Sequence, residues 1–208
     1  MVRKIVEKVP ETQLQLDLEK YQKRALELGA TDAKIITTDM IVVDERVRAK
    51  CLFPKCKYYG TNAHCPPHAI DLEMARKITN RFGYAIFTRF EVKAEEFCGP
   101  EANSVPSHLK TIKIVSKIES EAFYDGYHLS LGLGCGSCKN LYCRNVECDV
   151  LAGKGCRHAL KARASMEGFG IDVFTLAAKV GWAQYPIGVS ATPTEVPCGA
   201  TYGLVFIW

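Results

Sequence analysis

Eight of the chain's ten cysteines fall in two stretches. Cys51, Cys56 and Cys65 stand in CLFPKCKYYGTNAHCPPHAIDL, and Cys135, Cys138, Cys143, Cys148 and Cys156 stand in LGLGCGSCKNLYCRNVECDVLAGKGC. Thiols this dense serve metal or redox chemistry in a cytosolic protein, and disulfides in an exported one. The amino terminus, MVRKIVEKVPETQ, is charged and has no apolar signal core. The expectation is therefore a cytoplasmic protein whose thiols are metal ligands.

Cys135 and Cys138 form a CxxC pair, short enough for both sulfurs to reach one centre. Gly132, Gly134 and Gly136 lead into it. Glycines let the backbone curl and turn amide N–H groups toward a negatively charged group. A 4Fe–4S cluster takes four thiolates, often several from one compact loop. Cys135, Cys138, Cys148 and Cys156 can supply them, or Cys143 can replace Cys148. Arg144, Arg157, His158, Lys161 and Arg163 follow closely. They either offset the charge of such a cluster, hold an anionic partner, or form a solvated face. Zinc also binds four thiolates, but a zinc ribbon normally shows two CxxC pairs and this chain has one.

The first stretch runs C-x4-C-x8-C and ends in Pro66-Pro67. A proline directly after a ligand cysteine also occurs in bacterial ferredoxins. Three thiols leave a fourth position to Cys98, to Cys198, to His64 or His68, or to no residue at all. Three protein ligands plus an open position is the pattern of a catalytic metal site. Alternatively the two loops exchange a ligand, as paired ferredoxin motifs do. Cys98 and Cys198 also fit as small apolar residues.

These loops need a scaffold. Leu14, Leu18, Tyr21, Ala25 and Leu28 form an apolar stripe, predicting a helix over 12–28 with Thr12 and Gln15 as a capping box and Gly29 as the stop. Short strands are expected at 33–37 and 40–44. Asp71 caps a helix to Phe82, and a strand follows at 84–91. A surface loop is expected over 92–106, with Gly99-Pro100 and Pro106 as breakers, and a long helix from Ser107 to Asp125. A strand over 128–133 delivers the chain into the second loop. Helices are expected at 157–167 and 172–180, irregular chain over 182–197, and a buried strand at 202–208. This order predicts an α/β or α+β fold with helices on a mixed sheet. We expect one domain over residues 1–208, with cysteine-rich loops at about 51–68 and 132–158.

Hydrophobic residues make up 48% of the chain and charged residues 24%, a soluble globular balance. No apolar run is long enough for a membrane span. Net charge is +4, with no basic run of five or more, which argues against nucleic acid as a partner.

The C-x4-C-x8-C-P-P pattern, the CGSC and the CRHALKARASMEGFGIDV that begins at Cys156 together resemble a prokaryotic family described as predicted metal-binding proteins, domain of unknown function 2284. The resemblance runs from about Gly29 to Val180. In that family the second set approximates CxxCxxC, seven residues, then Cys-Arg-x-Pro. Here Cys148 and Cys156 keep the seven-residue gap, the gap after Cys138 is longer and carries Cys143, and Ala159 replaces the proline. The resemblance implies metal binding, of iron–sulfur type, in anaerobic bacteria and archaea.

The expected function is an iron–sulfur protein with one or two 4Fe–4S clusters, acting in electron transfer or as a redox subunit. Its ligands would be Cys51, Cys56, Cys65, Cys135, Cys138, Cys148 and Cys156, with Cys143, Cys98 and Cys198 in reserve. Its partner would be a redox protein such as a ferredoxin or a larger oxidoreductase. Two alternatives stand beside it: an enzyme with an open iron at the three-cysteine loop, and a zinc-stabilised binding module.

Overall fold

A computed structural model describes residues 2–99, 102–187 and 190–208. Its centre is a four-stranded sheet in the order β1-β2-β4-β3, formed by β1 (Asp32–Thr37), β2 (Tyr84–Val92), β3 (Leu131–Leu133) and β4 (Gly199–Phe206). All three pairings are antiparallel, so the fold is α+β and the expected mixed sheet is not formed. The strand expected at the carboxyl end is β4, an inner strand between β2 and β3.

Alternation along the strands sends side chains to two cores. Ile86 and Val205 pack with Leu14, Leu18 and Tyr21 of α1 (Glu11–Glu27), and with Ile114, Val115 and Ile118 of α4 (Val105–Tyr124). Phe87, Leu204 and Phe206 point the other way. They pack with Met166 and Phe169 of α6 (Met166–Phe169) and Leu176 of α7 (Val173–Lys179). Burying a side chain such as Leu18 contributes about 1.5–3 kcal/mol.

The helices at α1, α3 (Leu72–Thr79), α4 and α7 stand where the apolar periodicity puts them. Asp71 and Asp172 cap α3 and α7, accepting from Met74 N (2.9 Å) and Thr175 N (3.0 Å). The Thr12–Gln15 capping box is not used, since α1 begins after Pro10 without a side-chain cap. Gly29 does end α1, at φ +101°, where a side chain would be strained.

Three expected elements differ. Residues 40–44 form no sheet strand. The Thr38 N–H bonds Gly83 O and turns the chain, Val43 bridges Ile171, and Asp44 caps α2 (Glu45–Ala49). The strand expected over 128–133 shrinks to Leu131–Leu133, because a turn closes from Ser130 N to Tyr127 O. Residues 157–161 form turns and 162–165 lead without a helix into the bridge at Ser165, so only Met166–Phe169 is helical. Leu160, the apolar centre of that run, is 89% exposed, so a helix there would have no apolar face to bury. Pro100, expected as a breaker, lies outside the described residues.

Candidate metal centre

The second cysteine loop leaves the edge strand β3 and returns to a bridge between Gly134 and Ser165. Gly134 N donates to Ala164 O (2.8 Å), and Met166 N donates to Gly134 O (3.0 Å). The two leading glycines serve packing rather than cluster binding. A Cβ on Gly132 would lie 2.6 Å from Val115, and one on Gly134 would lie 2.6 Å from Ile112. Their N–H groups are taken by Glu119 (2.9 Å) and Ala164. Only Gly136 of the three has a positive φ, +67°.

The first loop is anchored to the same short segment. Asp44 N donates to Gly170 O (2.9 Å), and Arg48 donates to the carbonyls of Ile70 (3.0 Å) and Gly168 (2.9 Å). A Cβ on Gly168 would approach His64 O to 2.9 Å, so this glycine lets the first loop lie against α6. The Pro66–Pro67 peptide is cis, and Pro66 O accepts from Gly60 N (2.7 Å).

Asn62 and Ser137 join the loops. Asn62 is 1% exposed. Its Oδ1 accepts from His64 N (3.0 Å) and from the Cys138 thiol (3.4 Å), while its Nδ2 donates to Ser137 Oγ (3.3 Å). Ser137 Oγ lies 3.4 Å from Cys65 Sγ. Cys65 and Cys138 are thus held by one polar bridge, although 72 residues separate Cys65 from Ser137.

Electrostatics groups the thiols. Burial pushes the Cys138 thiol up to about 12, and the neighbouring Cys65, Cys148, Cys143 and Cys156 add to the rise. Burial also raises Cys143, with Cys156 and Cys148 acting the same way and Arg157 opposing. Burial raises Cys51 as well, helped by Cys56 and Cys65 and opposed by Arg48. Cys148 runs against the trend. Burial raises it, but hydrogen bonding from the backbone of Leu151, Ala63 and Val150 outweighs this, and its net shift is downward. Ala63 belongs to the first loop, so this sulfur also ties the two together. Cys156 Sγ accepts from His158 N (3.4 Å).

Thus Cys65, Cys143, Cys148 and Cys156 act electrostatically on Cys138, and Cys56 and Cys65 act on Cys51. Cys135 is 5% exposed, and Glu167, Thr111 and the Tyr202 backbone act on its thiol. Burial raises its pKa well above the ordinary value. Cys98 is buried and donates to Ala94 O (3.2 Å). Cys198 lies 3.8 Å from the Arg89 guanidinium. His64 is partly buried with Nδ1 unpartnered among the described residues, and His68 is exposed.

Two of the nearby cations are engaged. Arg157 Nε donates to Asp149 (2.8 Å), and Arg163 Nε donates to Glu119 (2.6 Å). Arg144 and Lys161 are exposed. Among the described residues, no three His, Cys, Asp or Glu side chains converge closely enough to share a single metal ion. The donors present are thiols from two separate loops and amide N–H groups near sulfur, types of group that metal centres use.

An α+β scaffold that presents clustered thiols on two loops defines a cysteine-rich metal-binding class. The family described as predicted metal-binding protein (DUF2284) matches residues 34–206, and the chain belongs to it. The match extends past the resemblance seen in the sequence to include β4. No curated protein and no solved structure matches the chain.

Proposed function

We propose that the chain is an iron–sulfur protein. One 4Fe–4S cluster would be held by Cys138, Cys143, Cys148 and Cys156, and a second by Cys51, Cys56 and Cys65. The observation that carries this is the gathering of thiols from two loops around the Asn62–Ser137 bridge. A zinc ion binds each thiolate at about 2.3 Å, so four sulfurs around it would nearly touch. A cubane cluster holds its cysteine sulfurs farther apart.

When bound, such clusters supply one-electron transfer. The chain's own residues give up thiol protons, fix the two loops against each other and donate N–H groups to sulfur. Cys65 lies next to Cys138, which would set the two sites side by side as a short electron path. Lys55, Lys57 and Arg144 are exposed on the same loops and suit an acidic redox partner, such as a ferredoxin or an oxidoreductase subunit.

An enzyme with an open iron is the second reading, favoured by one observation. The Glu167 carboxylate acts on the Cys51 thiol.

The test is visible spectroscopy of protein purified without oxygen. The expected result is a brown protein whose broad absorption bleaches on dithionite and returns on reoxidation. A colourless protein carrying only zinc contradicts the proposal.

A further inference from the structure

Beside β4, away from the four gathered thiols, a cleft of about 180 Å3 is lined by Arg89, His108, Cys135, Glu167, Cys198 and Tyr202 together with flanking apolar side chains. That is room for several waters or one molecule of amino-acid size.

Arg89 sits on β2 opposite Tyr202, with only 11% of its side chain exposed. Its Nη2 donates to Glu91 (2.6 Å). Its Nε is buried and has no acceptor among the described residues. A buried guanidinium N–H left unmet is costly, and a guanidinium is well shaped to meet a carboxylate. Glu167 lies elsewhere in the same lining. Its side chain is exposed to solvent, although the protein around it raises its pKa. It bonds Ser165 and its own backbone, and among the described residues no cation pairs with it. Burial lowers the pKa of His108, so it adds no charge near neutral pH.

The charges select the ligand. Arg89 and Glu91 cancel, which leaves Glu167 uncompensated. A multiply charged anion such as phosphate would be repelled. A simple carboxylate would meet a guanidinium already half neutralised, and a simple amine would leave Arg89 Nε unmet. A zwitterion answers both groups.

We propose that this cleft binds a small amino carboxylate, its carboxylate accepting from Arg89 Nε and its ammonium facing Glu167. None of the seven cysteines assigned to the two clusters lines this cleft, although the Glu167 carboxylate also acts on Cys51.

The experiment is calorimetric titration of the full chain, purified without oxygen, with glycine, alanine and serine. Acetate, methylammonium and inorganic phosphate are run as comparisons. The zwitterions are expected to bind at least ten-fold more tightly than any comparison ligand. Arg89→Gln and Glu167→Gln are each expected to weaken them at least ten-fold. Should Arg89→Gln fail to fold, the isosteric Glu167→Gln carries the test alone, and its iron content, measured alongside, separates a lost cleft from a lost cluster. No binding of any zwitterion, acetate or phosphate binding as tightly, or unchanged affinity in Glu167→Gln with normal iron content overturns the proposal.

Discussion

Cys148 is a thiol whose pKa is lowered, unlike those of Cys138 and Cys143. Backbone donors from both loops point at its sulfur and pull its pKa down while its neighbours rise. Hydrogen bonds to sulfur also tune the potential of a bound cluster. Cys135 and Cys143 sit in different surroundings. The CxxC motif draws attention to Cys135, yet its side chain is buried against Thr111 and Tyr202. Cys143 has no motif of its own, although Cys138-x4-Cys143-x4-Cys148 is an even spacing and was the available signal. Cys143→Ser is therefore expected to lower the iron content by about four per chain, one cubane's worth. Cys135→Ser should leave it near the wild-type value. Iron analysis of the two variants beside the parent decides this, and equal losses would contradict the grouping. Asn62, Ser137 and Glu167 had no sequence signal, because their roles come from loops that meet only in the fold.

The elements that hold the loops depend on close approach. β3 packs onto α4 at Gly132 and Gly134, and the second loop closes on Gly134 through backbone hydrogen bonds. Gly134→Ala would push a methyl into Ile112, and overpacking of this kind costs about 1–3 kcal/mol. Gly155 lies in the same loop with nothing near its Cβ position and no positive φ, so Gly155→Ala should be close to neutral. Urea denaturation of both variants tests the contrast. Element by element, legibility followed burial. Strongly periodic segments such as α1 and α4 were readable, since their stripes are the core itself. The run RHALKARASME misled because it has helical composition without a buried face. There the loop base at Gly134 and Ala164 fixes the backbone instead. The strand expected at 40–44 has β-branched residues, but it pairs with Ile171 beside the first loop rather than with the sheet.

Across the whole molecule, the sheet separates two cores. α1 and α4 close one face, and the loops with α6 and α7 cover the other. The face away from the thiols carries its own polar lock. Asp17, 3% exposed, pairs with Arg3 (Nη2–Oδ1 3.1 Å) and accepts from the Tyr127 hydroxyl (2.8 Å). Burial raises its pKa, but the bonds from Arg3 and Tyr127 outweigh this and hold it below the ordinary 3.8. A carboxyl depressed in the folded state stabilises fully above its unfolded pKa, and that contribution is lost as pH falls through the folded value. Acid unfolding of Asp17→Asn should therefore show a weaker dependence on pH below about 4 than that of the parent, since Asp17's share of the proton uptake is gone. Parallel urea titrations across that range check the sign. Among the described residues, no helix is long and apolar enough to cross a membrane. The central claim remains that thiols from both loops hold inorganic iron and sulfide. The most direct measurement is iron, acid-labile sulfide and zinc per chain in protein kept without oxygen from lysis onward. The account predicts about eight irons and eight sulfides with negligible zinc, as two cubanes require. Stoichiometric zinc without sulfide, or free thiols with no metal, would contradict it.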